Sequence, residues 1–170
     1  IDALIDQWRD DAYSCAAALV GERGLGKTTL LDRLCERCDV PVHRLRVGER
    51  MVAPEQVRAW LASALELPPC DDDDALIAAI DGIGEQVIAI DDAHLFYLRT
   101  INGFLALDAF LRIVSLVGPH ILWLVSFDAM SWQFINRVRD RGHHFDAVVR
   151  LEPLDEQQVQ NVIERRTAAT

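Results

Sequence analysis

One segment of the sequence places three glycines, a lysine and a hydroxyl at a fixed spacing: Gly21-Glu22-Arg23-Gly24-Leu25-Gly26-Lys27-Thr28. It fits the pattern G-x-x-x-x-G-K-[ST], which binds phosphate groups. The glycines allow the backbone to turn tightly and to point successive N–H groups at phosphate oxygens. Lys27 would then reach the β- and γ-phosphates of a nucleotide, and the Thr28 hydroxyl would bind Mg²⁺. The segment therefore predicts a phosphate-binding loop, the alternative being an ordinary glycine-rich turn.

A pair of carboxylates follows a short apolar segment later in the chain. Asp91 and Asp92 come directly after Val87-Ile88-Ala89-Ile90. Asp91 is placed to hold Mg²⁺, usually through water, and Asp92 is a candidate to polarise an attacking water molecule. The same pair could instead cap the next helix. Its position downstream of a phosphate-binding loop favours the metal-binding interpretation.

Apolar strand segments alternate with helical periodicity along the whole chain. Strands are predicted at 15–20, 40–47, 87–90, 121–125 and 147–151, and helices at 29–38, 54–65, 74–80, 101–117, 131–139 and from about 155. Uniformly apolar strands are buried on both faces, which predicts a parallel sheet covered by helices on both sides. Ligands of such sheets bind beyond the carboxyl ends of the strands. The phosphate-binding loop and the carboxylate pair both follow strands, and would meet there.

Composition restricts the class of protein. The 170 residues are 51% apolar and 26% charged, as in an ordinary globular domain. A net charge of −10 argues against non-specific nucleic-acid binding. No apolar run approaches the roughly 18 residues that span a bilayer, so we expect no membrane segment in this chain and a cytoplasmic location. Because the chain begins at Ile1 rather than Met, we expect it to be part of a larger protein.

Cysteines and a run of aspartates have alternative interpretations. Cys35-x-x-Cys38 superficially suggests zinc or redox chemistry, but no second pair completes a zinc site. Both cysteines fall on the apolar face of the first helix, so we expect core thiols in a reducing compartment. The run of aspartates at 71–74 could be a metal or partner site. We expect instead a solvated turn that caps the following helix.

The segments 21–28 and 87–94 together resemble the AAA+ ATPases and the related STAND nucleotide switches, particularly the origin-recognition-like ATPases. The resemblance implies an α/β fold: a three-layer α-β-α P-loop NTPase core with a five-stranded parallel sheet in the order 5-1-4-3-2. It implies a core over residues 1–152, the start of a helical lid over 153–170, and ATP with Mg²⁺ as ligands. Active AAA+ members mostly carry glutamate where Asp92 stands. STAND members often have two aspartates, so Asp92 favours a slow switch.

The resemblance also implies roles for residues near the strand ends. Ser126 is similar in placement to the polar sensor that follows the fourth strand, although it could be a plain strand-end serine. Arg139 and Arg141 precede the fifth strand, where AAA+ proteins place an arginine finger that reaches a neighbouring subunit. Solvated arginines at a helix end are the alternative. Pro153 follows the fifth strand, where relatives pack a proline near the adenine.

The expected site groups residues by role. Nucleotide contacts are expected from Gly21, Glu22, Arg23, Gly24, Leu25, Gly26, Lys27, Thr28, Thr29 and Pro153; Mg²⁺ ligands are Thr28 and Asp91; catalytic residues are Lys27, Asp92, Ser126, Arg139 and Arg141. We expect an ATP-binding module that hydrolyses ATP with Mg²⁺ to drive a conformational or assembly switch, with self-association through a neighbouring subunit. The alternative is a nucleotide-binding regulatory scaffold with little or no hydrolysis. No [NT]-K-x-D guanine motif is present, which disfavours a GTPase.

Overall fold

Strands and helices alternate in the computed structural model, which describes residues 5, 6, 8, 15–155, 157, 158, 160, 164 and 167. Within these residues the strands are β1 (Cys15–Gly21), β2 (Val42–Arg46), β3 (Gln86–Asp91), β4 (Ile121–Asp128) and β5 (Ala147–Arg150). The helices are α1 (Lys27–Arg37), α2 (Pro54–Ala64), α3 (Asp73–Asp81), α4 (Leu105–Leu116) and α5 (Ala129–Arg139). Short 3₁₀ turns cover Ala93–Phe96 and Arg141–His144.

The strands form one parallel sheet in the order β2-β3-β4-β1-β5. Read from the other edge, this is the predicted order 5-1-4-3-2, so the predicted fold class is confirmed. The register places Gly21 opposite Asp128 and Arg46 opposite Asp91 at the carboxyl ends of the strands. Parallel pairing brings those ends to one edge of the sheet, where the segments that follow β1, β3 and β4 lie side by side.

Each face of the sheet has its own apolar core. On one face, Leu31 and Leu34 of α1 pack against the sheet together with Ile5 and Trp8. On the other face, α2 to α5 enclose a larger core that contains the fully buried Trp123. Helices on both faces make the three layers that uniformly apolar strands require. Four aromatic residues of β4 and α5 pack in this larger core; they are Trp123, Phe127, Trp132 and the partly buried Phe134.

The aspartate run caps a helix, as predicted. Asp72 is the N-cap of α3, and its carboxylate accepts a hydrogen bond of 2.8 Å from the Ala75 N–H. Asp73 has a further role that the sequence did not reveal, because its carboxylate pairs with Arg58 and Arg112. The run therefore joins three helices through their side chains as well as capping one of them.

Two sequence predictions need correction. Helix α4 begins at Leu105 rather than at residue 101, because Asn102 has a φ of +61° and belongs to a turn in which the Leu98 N–H donates to the Gly103 carbonyl at 2.8 Å. Cys35 and Cys38 are only half-buried against the α1-side core, rather than fully buried. Burial still raises the pKa of the Cys35 thiol. In the described part of the chain, no helix has the length and apolar character to cross a membrane.

Candidate functional site

Two glycines determine the shape of the loop between β1 and α1. Gly24 has a φ of +89° and Gly26 a φ of +87°, in the left-handed region that favours glycine. Gly26 directly precedes α1, so the amino end of that helix faces the loop. A helix amino end carries free N–H groups and a partial positive charge, which suit an anion.

Gly21 is required for a different reason from the one the sequence suggested. Its φ is not positive, so it is not the turn residue that we predicted. A Cβ atom at this position would lie 3.1 Å from the Cβ of Leu151, at the exit of β5. The first glycine of the motif therefore allows two neighbouring strands to approach each other closely.

Lys27 is the first residue of α1 and the only lysine among the 170 residues. Its Nζ donates hydrogen bonds to the carbonyl oxygens of Gly21 at 2.7 Å and Glu22 at 2.8 Å. The side chain thus folds back over the loop and holds its positive charge at the loop mouth. The loop is closed further by a bond of 3.4 Å from the Leu25 N–H to the Glu22 carbonyl.

Asp91 lies at the centre of a hydrogen-bond network, with only 1% of its surface exposed. Thr28 Oγ1 donates to Asp91 Oδ2 at 2.6 Å, and an Arg44 guanidinium nitrogen donates to the same oxygen at 3.1 Å. Ser126 Oγ and the Asp92 N–H donate to Asp91 Oδ1, the latter at 3.1 Å. Burial alone would raise the pKa of Asp91, but the bonds from Ser126, Thr28 and Arg44 hold it below its usual value. Asp91 is therefore held as a carboxylate.

The oxygens beside Asp91 fit Mg²⁺. The Thr28 hydroxyl and the Asp91 carboxylate are hard oxygen ligands in direct contact. Mg²⁺ usually takes one or two protein ligands and completes its shell with phosphate oxygens and water. Among the described residues, no group of three His, Cys, Asp or Glu side chains could hold a metal. The Thr28 hydroxyl and one Asp91 carboxylate would leave the rest of a Mg²⁺ shell to oxygens of another molecule or of water.

Asp92 adopts a strained conformation and is paired. Its φ is +62°, unusual for a non-glycine residue. Its N–H also donates to Ser126 Oγ at 3.0 Å, and its carboxylate accepts from Arg46 Nε at 3.1 Å. His94 Nδ1 lies 4.0 Å from the other Asp92 oxygen, and burial lowers the pKa of this imidazole more than Asp92 raises it. Ser126 therefore joins both aspartates, and Asp92 has a cationic neighbour.

Arg44 and Arg46 are site residues that sequence reasoning missed. Both lie on β2, which neighbours β3 in the sheet. A signal was present, because two arginines alternate at the end of a strand whose predicted neighbour ends in two aspartates. The order 5-1-4-3-2 was enough to make strands 2 and 3 adjacent. The partner of each arginine depends on its side-chain conformation, because Arg46 lies opposite Asp91 in the sheet but binds Asp92.

A cavity of about 460 Å³ opens between the loop and the strand ends. Its lining includes predicted site residues from both halves of the site, namely Arg23, Gly24, Gly26, Lys27, Thr28, Thr29 and Asp92. Arg46, His94 and Asp128 also line it, and the Asp128 carboxylate caps α5 by accepting from the Met130 and Ser131 N–H groups. The cavity thus has a polar lining of both charge signs beside a helix amino end.

Several predicted residues lie away from the cavity lining. Pro153 is exposed and is not among the lining residues. Arg139 ends α5 and Arg141 begins the 3₁₀ turn after it, but their side chains lie outside the described part of the structure. Most of the predicted lid segment, 153–170, is also outside it. The roles of these residues, and the domain boundary after residue 152, stay predictions.

The sequence matches one family model. The model of the AAA domain matches residues 13–125, more than half of the chain. The chain belongs to the AAA domain family. The predicted resemblance to AAA-type P-loop ATPases is therefore confirmed, and the match contains both the phosphate-binding loop and the Asp91-Asp92 pair. No curated protein sequence matches the chain.

Solved structures show the same fold for this AAA domain. The ORC2 protein of Aeropyrum pernix, in ADPNP–ADP complexes, has a TM-score of 0.69 at 15% identity over 98% of this chain and 49% of its own. Cdc6p of Pyrobaculum aerophilum gives 0.65 at 20% identity, over 99% and 47%. The Aeropyrum pernix ORC1 protein, in complex with DNA, gives 0.65 at 17% identity, over 98% and 47%. The chain thus spans about half the length of these structures.

Proposed function

We propose that this AAA domain binds ATP with Mg²⁺ and hydrolyses it to drive a conformational or assembly switch in a larger protein. The observation that supports this most directly is the bond of 2.6 Å between the Thr28 hydroxyl and the Asp91 carboxylate. It joins the loop that would hold the phosphates to the strand end that would hold the metal. The ADPNP and ADP bound to Aeropyrum ORC2 support an adenine nucleotide as the ligand.

In this proposal, each residue has a role that its contacts support. The loop N–H groups and Lys27 bind the β- and γ-phosphates, since Lys27 is already held at the loop mouth. Thr28 and Asp91 would hold Mg²⁺, which when bound neutralises charge on the phosphate oxygens. Asp92 orients the attacking water and accepts its proton as the bond between the γ-phosphorus and the bridging oxygen breaks, leaving ADP and phosphate. Ser126 fixes the two aspartates relative to each other.

A second candidate function is a regulatory scaffold that binds ATP and hydrolyses it little. The pairing of Asp92 with Arg46 favours it, because one carboxylate oxygen is already engaged. Aspartate also reaches less far than the glutamate of most active AAA+ members. Self-association with an arginine from a neighbouring subunit belongs to the same proposal, and would complete a site that is slow in isolation.

The test of binding uses Lys27→Ala, with Arg33→Ala as a matched control on the same helix. Arg33 is exposed and pairs with Glu36, away from the cavity lining. Removing a charged donor from a phosphate costs about 1.5–3 kcal/mol, so we expect a loss in Mg·ATP affinity of roughly 10- to 150-fold for Lys27→Ala by calorimetry, and none for the control. Equal affinities for Lys27→Ala and wild type would contradict the proposal.

The two functions are separated by single-turnover phosphate release at saturating ATP. Release that is abolished by Asp92→Asn supports the ATPase. Binding without release above background supports the scaffold. Absence of Mg²⁺-dependent ATP binding in the wild type contradicts both.

A further inference from the structure

Arg44 contacts the candidate metal ligand Asp91 in a way that the proposed function does not use. Its guanidinium donates to Asp91 Oδ2 at 3.1 Å, to Asp32 Oδ1 of α1 at 2.8 Å and to the Leu45 carbonyl at 3.0 Å. A quarter of the Arg44 side chain is exposed, compared with half of Asp32. Arg44 is therefore held between one buried carboxylate and one solvated carboxylate.

The contact is made on the oxygen that faces the loop. Asp91 Oδ2 accepts from Arg44 and also from Thr28, the other candidate Mg²⁺ ligand. Arg44 and a Mg²⁺ ion bound at this position would both be attracted to the same carboxylate. Asp91 is almost completely buried, and a buried carboxylate without a partner charge is costly. In the absence of metal, Arg44 supplies that charge.

The two carboxylates that bind Arg44 do so through different nitrogens of its guanidinium. Asp91 is held in place from its other oxygen by Ser126 and by the Asp92 N–H. Asp32 binds Arg44 through Nε, whereas Asp91 binds it through a terminal nitrogen. The guanidinium can thus weaken its hold on Asp91 while it stays attached to α1 through Asp32.

We propose that Arg44 is the resident counter-ion of Asp91 in the metal-free protein, and that it sets the Mg²⁺ concentration at which nucleotide binds. The proposal rests on the proposed function. Arg44 stabilises the empty site and opposes metal binding, since two cations repel each other beside one carboxylate. Asp32 weakens the effect of Arg44 on metal binding, because it pairs with the same guanidinium.

The experiment measures Mg²⁺ midpoints for Arg44→Gln, which removes the charge, and for Asp32→Asn, which removes the competing partner. Mant-ATP fluorescence is followed during MgCl₂ titration at fixed mant-ATP concentration. Chelation by free nucleotide is the same for every variant, so differences in midpoint belong to the protein. Thermal unfolding in EDTA, without nucleotide, is the second measurement. Arg33→Gln is the control, because it removes an equal charge from α1 at an exposed pair.

Opposite shifts are expected from the two variants. Arg44→Gln should lower the Mg²⁺ midpoint by roughly three- to tenfold, as expected for one partly exposed charge, and should lower the unfolding temperature in EDTA. Asp32→Asn should raise the midpoint, because all of the Arg44 charge is then available to Asp91. Arg44→Lys and the control should stay near wild type.

Two results would overturn this proposal without affecting the proposed function, provided that the wild type binds mant-ATP with Mg²⁺. One is an Arg44→Gln midpoint that is unchanged or higher than that of wild type. The other is an Asp32→Asn midpoint that is unchanged or lower. Asp32 is half exposed, so its variant is informative even if Arg44→Gln does not fold. A wild type without Mg²⁺-dependent mant-ATP binding would overturn the proposed function, and this proposal with it.

Discussion

Replacing Ser126 by alanine tests whether the end of β4 supports the carboxylate network. The Ser126 hydroxyl is completely buried, donates to Asp91 and accepts from the Asp92 N–H at 3.0 Å. A hydrogen bond to a charged group contributes about 1.5–3 kcal/mol to stability. The Asp92 N–H keeps its bond to Asp91, so that donor is not left unpaired. We therefore expect Ser126→Ala to lower the free energy of unfolding by about 2 kcal/mol.

The assay is urea unfolding followed by tryptophan fluorescence, without nucleotide or metal. For a domain of this size, the expected loss corresponds to roughly 4–8 °C in melting temperature. Ser63→Ala is the matched control, because Ser63 is an exposed serine of α2. A loss below about 0.5 kcal/mol, close to the scatter of surface substitutions, would refute the reasoning and leave Ser126 as a plain strand-end serine.

The same variant has a pH signature. Burial raises the pKa of Asp91, but the bonds to its carboxylate, led by that from Ser126, lower it by more, so the folded pKa lies below the ordinary 3.8. A depressed carboxyl pKa stabilises the fold above the unfolded value, and this contribution is lost as pH falls through the folded value. The stability difference between wild type and Ser126→Ala should therefore be largest near neutral pH and shrink below about pH 4. A difference that stays constant down to that range would show that the lost bond does not act through the Asp91 charge.

Other substitutions test neighbouring contacts. Arg46→Ala should raise single-turnover hydrolysis at saturating ATP by up to about fivefold, because Arg46 is largely exposed and its pair with Asp92 contributes at most about 1 kcal/mol. A rate at or below wild type would contradict a restraining role. Asp72→Ala should cost about 1 kcal/mol in urea unfolding through loss of the α3 cap. Asp71→Ala, in the exposed turn before it, serves as the control, and equal losses for both would argue against the cap.

The fold was predictable because its signals are local. Apolar runs such as Val87–Ile90 lack the alternating polar residues of a sheet with one solvent-exposed face, which predicts burial between two helical layers. The phosphate-binding loop fixes β1 and α1 as its flanking elements. The Asp91-Asp92 pair could be assigned to the site once both loops were placed at the same edge of the sheet.

Contacts between strands were harder to predict. Arg44 and Arg46 are polar residues of a strand at the sheet edge, and even the register does not show which aspartate each one meets, because Arg46 lies opposite Asp91 but binds Asp92. Ser126 was placed by resemblance, but its bonds to both aspartates depend on distances that sequence does not contain. The start of α4 was predicted too early because apolar periodicity extends back to Ile101. The helix begins only after the turn that contains Asn102 and Gly103.

The glycines of the loop differ in what could compensate for their loss. At Gly24 and Gly26 the constraint is in the residue's own backbone, so an alanine there would be strained whatever space surrounds it. At Gly21 the obstacle is a neighbour: an added Cβ would lie 3.1 Å from the Leu151 Cβ and 3.3 Å from the Leu151 carbonyl oxygen, so only a shift of that strand exit would make room. The first position of the motif therefore depends on the path of the neighbouring strand, whereas the other two positions depend on their own backbone conformation.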